Sequence, residues 1–190
     1  MMRALVVYES MYGNTQRIAQ AIADGLSTHL KTGVVEVGTA PRVLPPDVGL
    51  VVVGGPTHAF GMSRPASRQD AQRRVKVPQV SQGIGQREWI ADVVVEPARV
   101  VAATFCTKIG APRFFWGSAA RRARRLLEAR GVTVLDAKSF FVGFKPPEDA
   151  LYAGEEARAQ LWGDQLGEQY VAAHTGHLHA GDWSEAHLAG

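Results

Sequence analysis

Short β-branched runs alternate with amphipathic stretches along this chain, and the two periods assign most of its elements. Arg3–Tyr8 (RALVVY), Leu50–Gly54 and Arg99–Phe105 (RVVAATF) are nearly continuous apolar runs, the pattern of strands buried on both faces of a parallel sheet. Val34–Val37 and Thr133–Val142 read as two more strands. Between the first strand and Val34–Val37, Ile18, Ile22, Leu26 and Leu30 recur every fourth residue. They predict a helix from Thr15 to about Leu30, capped by Thr15 and stopped by Gly33. Ala119, Ala123, Leu126 and Leu127 line one face of a helix over Ser118–Arg130, and Trp162, Leu166 and Tyr170 one face of Glu155–Ala173. Segment 56–98 is less regular. A short helix is expected at Ala66–Arg74 and the start of another at Gly83–Ile90, with Trp89 and Ile90 inward. Five strands with intervening helices predict an α/β fold: a doubly wound parallel sheet of order 2-1-3-4-5 with helices on both faces. Residues 1–173 are expected to form one domain, and 174–190, poor in apolar period, a loose tail.

Composition narrows the classes. The chain has 190 residues, 46% hydrophobic and 21% charged, enough to bury a core without staples. Its one cysteine, Cys106, excludes an intramolecular disulfide and a cysteine-based metal cluster. No apolar run reaches the ~18 residues of a membrane span, and the N-terminus carries no signal-peptide pattern, so a cytoplasmic location is expected. The net charge of +3 and pI near 9.2 hide a lopsided distribution. Arg64, Arg68, Arg73, Arg74 and Lys76 face only Asp70 within 61–76. Arg113, Arg121, Arg122, Arg124, Arg125 and Arg130 face only Glu128 within 113–130. Nucleic acid is disfavoured as a partner, because aromatic residues do not interleave with these bases in any recognition motif. Solvated helix faces are the plainer reading, and an anionic redox partner the functional one.

The chemistry-bearing segment follows the first strand. Ser10-Met11-Tyr12-Gly13-Asn14-Thr15 joins a buried strand to a helix N-terminus, where free N–H groups and the helix dipole favour an anion. Ser10, Asn14 and Thr15 add neutral donors, and Gly13 lets the backbone bend. The loop lacks the lysine and first glycine of GxxxxGK[ST] and the glycines of GxGxxG, so neither the P-loop nor the dinucleotide fingerprint applies. Taken alone, a strand–helix turn with polar caps explains it equally well.

In an open α/β sheet the ligand lies beyond the C-terminal strand ends, at the switch point between strands 1 and 3. The third strand leads into Gly54-Gly55-Pro56-Thr57-His58-Ala59-Phe60-Gly61, and the fourth into Cys106-Thr107-Lys108. With these loops placed, the sequence resembles the flavodoxin family. SMYGNT is similar to the family's phosphate loop [ST]-x-[ST]-G-x-T, with Tyr12 in place of the second hydroxyl residue. GGPTHAFG is similar to the loop beside the isoalloxazine ring in flavodoxins and related quinone reductases. The resemblance implies a flavodoxin-like fold binding FMN: Ser10, Met11, Tyr12, Gly13, Asn14 and Thr15 at the phosphate, Pro56, Thr57, His58, Ala59, Phe60 and Gly61 beside the ring, and Cys106 and Thr107 approaching from the fourth strand. Basic charge, a strand-4 loop without an aromatic stacker, and a long 62–98 connection depart from the pattern. Phe60, Phe114, Phe115 and Trp116 are the aromatic candidates for a stacking face.

Single residues carry alternatives. Cys106 reads as a core thiol or a redox thiol; His58 as a turn residue or a donor to the cofactor; Phe114-Phe115-Trp116 as a core plug or a lid. His174, His177, His179 and His187 belong to the expected tail. The functional expectation is an FMN-binding redox protein, either an electron carrier or a small NAD(P)H- or quinone-linked reductase. Against it stand a flavin-free binding module and a signalling receiver domain. The receiver lacks an aspartate at the end of strand 3 and has only Glu9 after strand 1.

Overall fold

The computed structural model describes residues 2–58, 61–74, 80–110, 117–143 and 151–180. Eleven elements follow in order: β1 (Arg3–Tyr8), α1 (Asn14–Leu26), β2 (Lys31–Glu36), β3 (Val48–His58), β4 (Gly61–Met62), α2 (Pro65–Arg74), α3 (Gln86–Asp92), β5 (Val101–Ile109), α4 (Ala119–Glu128), β6 (Thr133–Val142) and α5 (Glu155–Ala180). Five parallel strands run in the order β2-β1-β3-β5-β6, the expected 2-1-3-4-5 once the two-residue β4 is set aside. β4 pairs antiparallel with the end of β3, Thr57 opposite Met62 and His58 opposite Gly61.

Alternation along the strands divides the core in two. Ala4, Val6, Leu50, Val52, Ala103 and Phe105 face α1 and α5, where Ile18, Ile22, Leu26, Trp162, Leu166 and Tyr170 cover them. Leu5, Val7, Val51, Val53, Ala102 and Cys106 face α3 and α4, under Trp89, Ile90, Ala119, Ala123 and Leu127. Trp89 and Phe105 are 1% and 0% exposed, so truncating either to alanine is worth about 3–5 kcal/mol. α1 and α5 cross in backbone contact. A Cβ on Gly25 would lie 2.0 Å from the Gln160 carbonyl oxygen, and one on Gly163 2.1 Å from that of Ile22. This crossing anchors α1 and so fixes its N-terminus at the C-terminal edge of the sheet.

Several expected boundaries move. α1 ends at Leu26, where Ser27 and Thr28 turn their hydroxyls back onto the Ala23 and Gly25 carbonyls. Gly33 therefore lies inside β2 rather than stopping a helix. β3 stays extended through Gly54, Gly55 and Pro56 to His58, and β5 through Cys106, Thr107 and Lys108 to Ile109. What reads as two loops is thus the outer end of two strands. α5 continues to Ala180, past the expected limit at 173 and through His174, and 181–190, with His187, lie outside the described residues.

Candidate functional site

The site is built where β1, β3 and β5 end beside the start of α1. Gly13 takes φ +93°, a left-handed conformation that L side chains adopt only at a cost, and serves as the N-cap of α1. Thr15 is not the cap, as its position suggested, because it lies within the first helical turn. Its buried Oγ1 sits 2.7 Å from Thr107 Oγ1 on β5. Two hydroxyls bonded to one another use one hydrogen and leave one to donate elsewhere. Ser10, fully buried, accepts the Gly13 N–H at 3.1 Å and the Gln16 N–H at 3.3 Å on its Oγ, so its own hydrogen stays available. Met11 is buried and Tyr12 is 39% exposed, which places one inward and one at the rim. Asn14 is the first residue of the helix.

Val80 and Ser81 hold this loop in place. Ser81 Oγ accepts the Ser10 N–H at 2.9 Å, the Ser81 N–H reaches the Ser10 carbonyl at 2.8 Å, and the Val80 N–H reaches that of Met11 at 3.1 Å. The chain leaving α2 therefore returns to clamp the loop after β1.

The β3–β4 hairpin forms the second wall. Pro56, Thr57 and His58 are its outgoing strand and Gly61 begins the return; Ala59 and Phe60 lie outside the described residues, as do Phe114, Phe115 and Trp116. Thr57 Oγ1 accepts the Ala119 N–H at 3.2 Å and so pins the hairpin to the start of α4. Gly61 is buried beneath Arg122, whose guanidinium would meet an added Cβ at 3.0–3.1 Å. Burial, and then the positive charge of Arg68, hold the His58 imidazole below its usual 6.5, so the ring is neutral at neutral pH.

Cys106 and Thr107 were expected to approach together, and strand alternation separates them. Thr107 faces α1, beside Thr15. Cys106 is fully buried on the opposite face under α4, its Sγ 3.5 Å from Ser118 Oγ and 3.4 Å from Ser139 Oγ. Ser118 is the cap of α4 and accepts the Arg121 N–H. The structure thus places Cys106 in the core layer, away from the 10–15 loop.

A buried polar network next to this site was not anticipated. Glu9, 0% exposed, accepts the Ser63 hydroxyl at 2.5 Å and the Gln86 N–H at 2.9 Å. Arg68 donates to Ser63 Oγ at 3.0 Å and pairs with Glu88 at 3.2 Å, and Glu88 accepts the Gly85 N–H at 2.9 Å. Burial raises the Glu9 carboxyl above its ordinary 4.5, opposed by the Ser63 and Gln86 donors and by Arg68. The one signal in the sequence that could have found it is an acid directly after the apolar run ALVVY. The network ties β1 to the starts of α2 and α3, and it turns the only acid of the β1–α1 junction toward the α3 face, away from Ser10 and Thr15.

Residues 6–82 match the flavodoxin family model. The match spans 77 of the 190 residues, from β1 to the turn before α3. Solved flavodoxins share its fold at low identity. A flavodoxin from the domain Archaea is 18% identical over 88% of this chain and 98% of its own, with a TM-score of 0.60. The Streptococcus pneumoniae TIGR4 flavodoxin is 19% identical over 87% and 98%, with a TM-score of 0.57. Oxidised flavodoxin 2 from Bacillus cereus is 17% identical over 88% and 99%, with a TM-score of 0.54. Comparison with curated proteins returns no match. Among the described residues, no helix is long and apolar enough to cross a membrane.

Proposed function

We propose that this chain is a member of the flavodoxin family that binds FMN at the C-terminal edge of its sheet and serves in electron transfer. The observation that carries the reading is the β1–α1 junction: Gly13 in a left-handed turn, Ser10 Oγ accepting the Gly13 N–H and the Gln16 N–H of the first turn of α1, and the Thr15–Thr107 hydroxyl pair across to β5. The donor set is neutral and suits a phosphate monoester held by hydrogen bonds and a helix N-terminus. Glu9, which would repel an anion, is bonded to Ser63 and Gln86 on the other side of the strand.

FMN, when bound, supplies one- and two-electron chemistry, while the protein supplies binding, orientation and electrostatics. Ser10, Met11, Tyr12, Gly13, Asn14 and Thr15 would hold the phosphate, with Thr107 donating from β5. Pro56, Thr57, His58, Ala59, Phe60 and Gly61 would form the wall beside the ring. A neutral His58 offers one donor and one acceptor there without adding charge. Cys106, packed under α4, takes no part in this reading.

The test is a visible spectrum of the purified chain and an FMN titration of any flavin-free fraction. Flavin bands near 375 and 450 nm, roughly the usual absorption of bound flavin, support the reading. A protein that stays colourless and does not take up FMN would be a binding module on a flavodoxin fold. Stopped-flow reduction of the FMN-loaded chain by NADPH and NADH then separates a reductase from a carrier.

A further inference from the structure

The two flanks of the site carry opposite electrostatic bookkeeping. On the α1/α5 flank both arginines are paired, Arg17 with Glu156 at 2.8 Å and Arg158 with Glu155 at 2.6 Å, and Asp24, Asp164 and Glu168 leave the two helices net acidic. On the α2/α4 flank Arg64, Arg73, Arg121, Arg122 and Arg125 are all exposed, and no acid among the described residues pairs with their guanidinium groups. Lys76, Arg113 and the side chain of Arg74 lie outside what the structure describes. Arg68 is turned inward to Ser63 and Glu88, and Arg124 is held by Glu128, so neither contributes. Asp70 is the only acid of α2.

These free arginines sit at the site's end of the molecule. α4 starts beyond the C-terminal end of β5, and Arg121 and Arg122 stand in its first turn, which holds no acid. Proteins ordinarily place acids there, since the helix dipole already makes that end positive. Arg122 lies over Gly61 of the hairpin. Arg64 follows Ser63, which is bonded to Glu9 at the end of β1, and the chain beyond α2 returns to Ser10 and Met11. Both helices therefore border the same hairpin.

We infer that the α2/α4 flank docks a partner protein by an acidic surface, with electrons exchanged beside the β3–β4 hairpin; the exchange, though not the docking, rests on the FMN reading above. Spread favours a protein over a nucleotide. Arg64 and Arg73 are about 13 Å apart along α2, and Arg121 and Arg125 occupy successive turns of α4. One phosphate reaches only one such cluster, whereas an acidic protein face meets several at once. Such charges set encounter rates more than final affinity.

The test uses the full chain with an acidic ferredoxin and basic cytochrome c as probe partners, by calorimetric titration and stopped-flow association. Ionic strengths of about 0.01 M and 0.15 M shorten the screening length from about 30 Å to about 8 Å. The ferredoxin association rate should fall about tenfold, and cytochrome c should not bind. Arg64→Glu and Arg121→Glu should each slow ferredoxin binding threefold or more, by roughly the effect expected of a rim charge. Lys31→Glu makes the same change in net charge at the opposite end of the sheet, where β2 begins, and should leave the rate within about twofold. Equal effects of Arg121→Glu and Lys31→Glu would reduce the result to net charge and overturn the docking surface. So would salt-independent binding, a preference for cytochrome c, or capture by phosphatidylserine vesicles in place of ferredoxin. Calorimetry on the FMN-free chain reads the surface even if FMN fails to bind, so the two readings fail separately.

Discussion

Thr15 Oγ1 and Thr107 Oγ1 lie 2.7 Å apart in a buried hydrogen bond between residues 92 positions apart, and they lock the first turn of α1 to β5. Replacing either by valine keeps the shape but strands the other hydroxyl. Thr107→Val should lower unfolding free energy by about 1–3 kcal/mol in urea titration. Thr15→Val with Thr107→Val should cost less than the sum of the two, because no orphan remains. Additive effects would show that the two hydroxyls do not depend on each other.

Gly13 gives a second, separable prediction. Nothing lies within 4 Å of the position a Cβ would take, so a side chain fits, but φ +93° strains it. Gly13→Ala should destabilise by about 1–2 kcal/mol and Gly13→Asn by less, since asparagine tolerates the left-handed region. Equal stability of wild type and Gly13→Ala, measured by urea unfolding, would mean that the turn can rearrange at no cost.

Much of the frame is visible in the sequence and part of the site is not. Arg3–Tyr8 and Thr133–Val142 match the observed β1 and β6 to the residue, the first because its apolar run stops at the polar turn Glu9–Asn14. The outer ends of β3 and β5 are not legible, since Gly-Gly-Pro reads as a strand terminator. Those glycines are there to clear space. A Cβ on Gly54 would lie 2.4 Å from the Phe105 ring, and one on Gly55 2.7 Å from the Gln86 amide. Which neighbour fills that space depends on contacts 31 to 51 residues away. Likewise Glu9 shows as an oddity at a strand end, but its partners Ser63 and Gln86, 54 and 77 residues on, come from the fold. The split between Cys106 and Thr107 follows from strand alternation once β5 is known to continue past Phe105.

Glu9 should leave a mark on the pH dependence of stability. Burial raises its folded value above 4.5, so the folded state holds this proton more readily than the unfolded chain does. Its contribution to stability therefore declines as pH rises from about 4.5 through the folded value, and is level above it. Glu9→Gln should remove that component. The difference between wild-type and variant unfolding free energies, taken every half pH unit, should slope in this window; a flat difference would show that the carboxyl titrates as it does in the unfolded chain.

His58 should act in the opposite sense. Its folded value lies below 6.5, so the neutral ring is favoured by folding and the unfolded chain binds the proton first. Stability from this group is complete above about 6.5 and is lost as pH falls from there through the folded value. His58→Gln should flatten the curve below 6.5, and an NMR titration of the ring should give a midpoint under 6.5. A midpoint above 6.5 would place the ring in solvent or beside an acid.

The most direct measurement of the central claim compares FMN with riboflavin, which lacks only the phosphate, by fluorescence titration of the same flavin-free protein. If the 10–15 loop and Thr107 hold the phosphate, FMN should bind tighter by tenfold or more, the worth of about 1.4 kcal/mol of charge-assisted hydrogen bonding. Ser10→Ala should narrow that gap while leaving riboflavin binding in place. Equal affinities for the two flavins, or no affinity for either, would contradict the account.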